Sequence, residues 1–229
     1  MSSELKLTWP GSLVVIEGGD CTGKGKQIQL LSNRAATYLG SDRVVTTEEP
    51  WRNIQSPNGL WIDRLLNADT LGIPKEVNPG NGKLLAEEFQ TLYVCDRYTH
   101  WVKVILPAMM ASKLVISDRE RMSTYAYGFA FGLPLEVIHS WHSLLPPPDI
   151  TIWIDIPAEK AIRRKQGRLG VTEHFEDPKS MNMVANAYQE VFDSGLIPNV
   201  VRVDGMGTPE EVHTRIWEHA ILHVDEEME

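Results

Sequence analysis

The chain has 229 residues, 42% of them hydrophobic, and a formal net charge of −9, which suits one large soluble α/β domain around a single core. An acidic balance argues against general binding to nucleic acid or to an anionic membrane, since both need an extended cationic surface, and any phosphate site must therefore be local. The amino-terminal stretch MSSELKLTWPGSLVVIEGG has no signal-peptide pattern, no segment approaches the roughly 20 apolar residues of a spanning helix, and Cys21 and Cys95 form no Cys-x-x-Cys pair, so a reducing, cytoplasmic setting is expected.

Leu13 to Glu17 reads as a short buried strand. It leads into Gly18, Gly19, Asp20, Cys21, Thr22, Gly23, Lys24 and Gly25. Gly18, Gly23 and Lys24 have the spacing of a phosphate-binding loop, with Gly25 where Ser or Thr is expected. A helix follows from Lys24 to Leu39 and stops at Gly40. In that setting backbone N–H groups and the positive end of the helix dipole face an anion, and Lys24 reaches the outer phosphates. The absent hydroxyl normally helps hold Mg²⁺, so its ligand position passes to water or another side chain. Cys21, near a helix start, reads as a small filler residue.

Arg43 to Thr47 is the second strand candidate, and Asn67 to Lys83, crowded with turn formers, reads as an exposed excursion. Tyr93, Arg97 and His100 share one helix face. Leu114 to Ser117 predicts a third strand that brings Asp118 and Arg119 to the carboxyl edge of the sheet, where open α/β folds bind ligands. His139 and His142 read as helix surface, and Pro146 to Pro148 stiffen the approach to a fourth strand, Ile150 to Asp155. Arg163, Arg164, Lys165 and Arg168 crowd a helix end beside Gly167 and Gly170, which suggests a cationic lid at about residues 163–176. Val200 to Val203 is the fifth strand, and Thr208-Pro209-Glu210-Glu211 opens the last helix with an N-cap, a first-turn proline and a capping box. Strands alternating with helices predict an α/β fold, a mainly parallel five-stranded sheet flanked by helices, as one domain over residues 1–229.

Glu17-Gly18-Gly19-Asp20, Asp96-Arg97 with His100, VISDRERMSTYAYG from Val115, GLPLEV from Gly132 and PDITIWIDIPAEKAIRR from Pro148 are together similar to the thymidylate kinases, over nearly the whole chain. The resemblance implies a P-loop kinase fold, Mg²⁺- and ATP-dependent phosphorylation of dTMP or a related or modified pyrimidine deoxynucleoside monophosphate, and a homodimer. It implies that Gly18 and Asp20, Cys21, Thr22, Gly23, Lys24, Gly25 and Lys26 meet ATP, with Lys24, Asp20, Arg119 and Arg168 in the chemistry. It places Asp20 by the sugar, Tyr93 stacked on the base, Arg97 hydrogen-bonded to it, and Tyr127 as the second aromatic wall. Asp118 would reach the metal through water, Arg119 the phosphates, and Ser123 the same substrate pocket.

The chain departs from the pattern at several of these places. Thr47-Glu48-Glu49-Pro50 puts a carboxylate where a phosphate-binding Arg is common, and Arg52 is the nearby replacement. Lys26 replaces a second Ser or Thr, Glu120 a Tyr, Gly128 a Gln that often borders the base, and His174 a lid Arg. Two other readings stay open on sequence: a deoxynucleoside kinase of the same fold, and a degenerate nucleotide-binding sensor without turnover, for which Gly25 is the best argument. No Asn-Lys-x-Asp element supports a GTPase.

Overall fold

The computed structural model describes residues 9–66, 83–167 and 177–225. Five strands, β1 (Leu13–Glu17), β2 (Val44–Glu48), β3 (Leu114–Asp118), β4 (Ile150–Asp155) and β5 (Val200–Asp204), form one parallel sheet in the order β2-β3-β1-β4-β5. The register pairs Ile16 and Glu48 with Asp118, so the carboxyl ends of β1, β2 and β3 finish level at one edge.

Strand side chains alternate between faces, and β1 is buried on both. Val14 and Ile16 join Ile28 and Leu31 of α1 (Lys24–Leu39) and Ile216 and Trp217 of α9 (Pro209–Asp225) in the largest core cluster. Leu13 and Val15 face the other way, onto Trp101, Ile105 and Met109. Burial of β1, β3 and β4 on both faces explains the apolar, β-branched runs that made them legible.

Between β2 and β3 lie α2 (Pro57–Leu66), α3 (Lys83–His100), a π-turn (Trp101–Ile105) and α4 (Leu106–Met110). Pro107 has no N–H for the helical ladder, and a widened turn just before it absorbs the missing bond. After β3 come α5 (Arg121–Ala130) and α6 (Leu135–Trp141), and after β4 come α7 (Ala158–Gln166) and α8 (Pro178–Ser194).

Helix ends follow the sequence signals. Gly40 donates its N–H to Ala36. At α9, Thr208 N–H donates to Glu211 Oε2 at 2.7 Å and Glu211 N–H to Thr208 Oγ1 at 3.3 Å, a reciprocal capping box. Arg43 is not in β2; it sits in a 3₁₀ turn and donates to Ser112 O. Most of the Asn67 to Lys83 excursion and residues 168–176 of the expected lid, Arg168 and His174 among them, lie outside the described residues. Among the described residues no helix is long and apolar enough to cross a membrane.

Candidate active site

The loop after β1 needs glycine at two places. Gly18 has φ 144°, and a Cβ there would lie 2.7 Å from Ile154 O; Gly23 has φ 105° as the N-cap of α1. Lys24 is buried and donates to the Gly18 and Gly19 carbonyls at 3.0 Å each. Arg164, in the last turn of α7, donates to Thr22 O at 3.0 Å and Cys21 O at 3.3 Å, so one cation of the expected lid does reach the loop. Gly25 faces open space, with nothing within 4 Å of a Cβ built on it.

Glu17, buried at the end of β1, ties the loop to α5. Its carboxylate accepts the backbone N–H groups of Glu120 (2.8 Å) and Ser123 (3.0 Å), which sit at the α5 amino terminus. It also accepts the Ser123 hydroxyl (2.7 Å) and the Tyr188 hydroxyl (3.0 Å). Burial raises its pKa, while Arg119 and these donors pull the other way. A carboxylate in that place fixes where β3 hands over to α5, and so positions Arg119.

Arg119 holds a left-handed backbone, φ 69°, a strained conformation for a side chain of its kind. Its guanidinium donates to Gly18 O (3.1 Å) and Ser123 Oγ (2.9 Å), and pairs with Asp20. The Tyr127 hydroxyl donates to the other Asp20 oxygen at 2.7 Å. Burial would raise the Asp20 pKa, but Arg119, Lys24 and the Tyr127 hydroxyl outweigh it and hold the carboxyl below its ordinary value. Burial and the Asp20 charge keep Tyr127 protonated, well above its usual range. For Lys24, burial and then Arg119 lower the pKa, against Asp118, Asp20 and Glu17.

A cleft of about 730 Å³ runs along this edge of the sheet. It brings together Asp20 through Lys26, Arg52, Tyr93, Asp118, Arg119, Ser123 and Tyr127. Sequence reasoning missed Gln90 and Thr124 at one end, and Gln27, Gly205, Gly207, Pro209 and Val212 at the other. Gly205 and Gly207 follow β5 as Asp118 and Arg119 end β3, so their place at a strand's carboxyl end was the signal available for them. Gly18 lies behind the cleft rather than on its wall. Glu48 lines it beside Asp118, and Arg52 pairs with Asp63 at 3.4 Å in a half-exposed contact.

Arg97 is not on the cleft wall. It is 1% exposed, and its Nε donates to Glu49 Oε2 at 2.8 Å. Its other nitrogens meet His142 Nε2 (2.6 Å), Glu120 O (2.8 Å) and Thr124 Oγ1 (3.1 Å), and Glu120 Oε1 lies 3.3 Å from Nε. Glu49 also meets His100 Nδ1 at 3.1 Å, and His100 Nε2 meets Thr47 Oγ1 at 2.6 Å. Asp96 accepts Trp51 N–H (2.6 Å) and the Ser56 hydroxyl. The helix face predicted from Tyr93, Arg97 and His100 therefore divides. Tyr93 reaches the cleft, and the other two anchor the segment after β2 and the start of α5. His142 is likewise 2% exposed rather than on a helix surface.

This network makes stability depend on pH. Because His142 Nδ1 meets Ile138 O at 2.8 Å, its Nε2 is free to accept from Arg97. Burial and the Arg97 charge push its pKa down from 6.5 to about 3. Burial opposes, but Arg121 and Arg97 prevail to lower Glu120 from 4.5 to about 2. Both groups bind fewer protons folded than unfolded, His142 between about pH 3 and 6.5 and Glu120 between about 2 and 4.5. The contribution of these two groups is thus fully present above pH 6.5 and falls on acidification, by up to about 1.4 kcal/mol per pH unit for each group; Glu17 and Asp96, both raised by burial, act in the opposite sense from their ordinary values upward. Urea denaturation at pH 7.0 and 5.5 should show His142→Gln losing less stability on acidification than the unmodified protein; the same pH dependence in the two would contradict this account.

The same edge suits a hard cation. Asp118 Oδ1 is buried without a hydrogen-bond partner among the described residues, beside the loop cations. Magnesium commonly takes one or two carboxylates and leaves the rest of its shell to phosphate and water. No group of three or more metal-ligating side chains stands among the described residues, which is compatible with that sparse habit.

A parallel sheet whose central strand runs through a glycine loop into a helix, with lysine and a carboxylate-arginine pair at the adjoining strand end, defines a P-loop nucleotide kinase. The sequence profile of the family described as thymidylate kinase matches residues 16–216. A probable thymidylate kinase of Pyrococcus abyssi is 32% identical over 206 residues, covering 90% of this chain and 94% of its own. The thymidylate kinase of Desulfotalea psychrophila is 31% identical over 185 residues, 80% and 82% of the two chains. The structure of thymidylate kinase from Candida albicans superposes with a TM-score of 0.70 at 22% identity, covering 97% of this chain and 96% of the other. The chain belongs to the thymidylate kinase family.

Proposed function

We propose that the protein transfers the γ-phosphoryl group of ATP to dTMP within the cleft at the carboxyl edge of its sheet. The observation that carries this reading is the continuity of that cleft, from the Gly23–Lys24 loop, past Asp118 and Arg119, to the aromatic pair Tyr93 and Tyr127. ATP phosphates lie against the loop and the amino terminus of α1, with the adenine toward Gly205, Pro209 and Val212. The pyrimidine lies between Tyr93 and Tyr127 and its phosphate faces Arg119 and Arg52, so that acceptor and donor phosphates meet near Lys24.

Chemistry here is positioning and charge stabilisation. Lys24 follows the transferring group and neutralises charge developing on its oxygens. Arg119, already fixed by Gly18 O, Ser123 and Asp20, keeps the acceptor phosphate in line. Arg164 covers the loop and helps exclude water. Magnesium, when bound, would supply charge neutralisation to the transferring phosphates, and Asp118 is the side chain that would hold it. The deoxynucleoside-kinase reading has no observation of its own here. A homodimer in the cytoplasm completes the proposal; an elution volume matching a single chain would remove the dimer.

The space at Gly25 gives a direct test of metal use. Gly25→Thr restores the hydroxyl in open space at the first turn of α1, so the Mg²⁺ concentration for half-maximal activity should fall by about three- to tenfold, equivalent to one hydrogen-bond-sized contact. Asp118→Asn should raise it. A titration that moves for neither variant would remove both from the metal site.

A further inference from the structure

We infer that Gln90, on α3, is the residue that reads the edge of the pyrimidine, in place of both Arg97 and the position held by Gly128. This deepens the proposed reaction and rests on dTMP being the acceptor.

Gln90 lines the cleft at the same end as Tyr93, Tyr127 and Thr124. It precedes Tyr93 by three positions, which puts the two on one helix face, amide beside ring. Only 3% of Gln90 is exposed, yet its side-chain amide forms no hydrogen bond with any described residue. The side chain is nearly buried, yet its amide nitrogen and oxygen are not themselves sealed from solvent; a donor-acceptor pair open to a ligand cleft naturally takes its partner from the ligand.

Two neighbours explain why the amide is needed at this position. Arg97 has its guanidinium occupied by Glu49, His142, Glu120 and Thr124 and lies off the wall. A longer side chain at Gly128 would have to push its neighbours aside: a Cβ there would meet Ile138 Cδ1 at 2.7 Å, Leu133 Cδ1 at 3.4 Å and Gln90 Cγ at 3.5 Å. Gln90 thus already abuts the space that a side chain on α5 would have used. Its amide matches a thymine or uracil edge, with Oε1 accepting the ring N3–H and Nε2 donating to the adjacent carbonyl. A carboxylate at this position could only accept, which suits the exocyclic amine of cytosine and opposes the carbonyl of thymine.

The test measures kcat and KM for dTMP, dCMP and ATP in the unmodified protein, Gln90→Met and Gln90→Glu, with melting curves for each. Gln90→Met should raise the dTMP KM by roughly 10- to 100-fold and leave the ATP KM within about twofold. Gln90→Glu should shift the dTMP to dCMP ratio of kcat/KM toward dCMP by about tenfold or more; glutamate is isosteric with glutamine, so this arm remains readable if Gln90→Met does not fold. An unchanged dTMP KM in Gln90→Met, an unchanged base ratio in Gln90→Glu, or equal losses for dTMP and ATP would overturn the assignment. Absence of dTMP turnover in the unmodified protein would instead overturn the substrate reading beneath it.

Discussion

Lys24→Ala should lower kcat by about 10²- to 10³-fold, the usual loss when one preorganised charge at a transferring group is removed. Lys24 is buried and held by two loop carbonyls, where its ammonium can follow the phosphoryl group between the two nucleotides. The fold should survive, because the two carbonyls that lose Lys24 each keep another donor, Arg119 at Gly18 O and the Thr22 hydroxyl at Gly19 O. ATP should still bind, since backbone N–H groups and the α1 dipole supply part of the phosphate affinity. Single-turnover rates with pre-bound ATP separate the two effects. A variant with near-normal kcat and a raised ATP KM would show that Lys24 only binds.

Arg97→Ala should destabilise the protein by about 3–5 kcal/mol. In a chain of this size that is about 6–20 °C in melting temperature. The substitution takes the guanidinium from buried Glu49 and Glu120, leaving them His100 and Arg121 respectively, and removes four hydrogen-bond contacts that join α3 to the segment after β2, to the start of α5 and to His142 at the end of α6. Activity at low temperature should fall because Glu120 adjoins Arg119, but with no selective effect on base recognition. Thermal melts at pH 7 together with dTMP and ATP KM values decide the matter. A stable variant with a specific rise in dTMP KM would return Arg97 to the base pocket.

The contrast between Tyr93 and Arg97 shows what the sequence can and cannot reveal. Periodicity placed both on one face of α3, correctly, but a helix face four residues long can have one end at a cleft and the other in a core. What decides is the charge opposite, and Glu49, Glu120 and His142 come from three other elements. Strands β1, β3 and β4 were legible because burial on both faces favours apolar, β-branched runs. The capping box of α9 was legible because its bonds are local. Gln90 carried no signal, since a glutamine within a polar stretch of helix reads as surface until the packing of Gly128 and Arg97 is known. Glu17 shows the intermediate case. Its motif was visible, but its bonds to Ser123 and Tyr188 span more than a hundred residues and follow only from the fold.

The central claim is that this cleft phosphorylates a thymine nucleotide, and an ADP-release assay across dTMP, dUMP, dCMP, AMP, GMP and CMP at saturating Mg-ATP tests it most directly. The account predicts turnover with dTMP as the best acceptor of the panel, abolished in Lys24→Ala. A clear preference for AMP, GMP or CMP with no response to dTMP, or ATP binding without phosphoryl transfer to any acceptor, would contradict it.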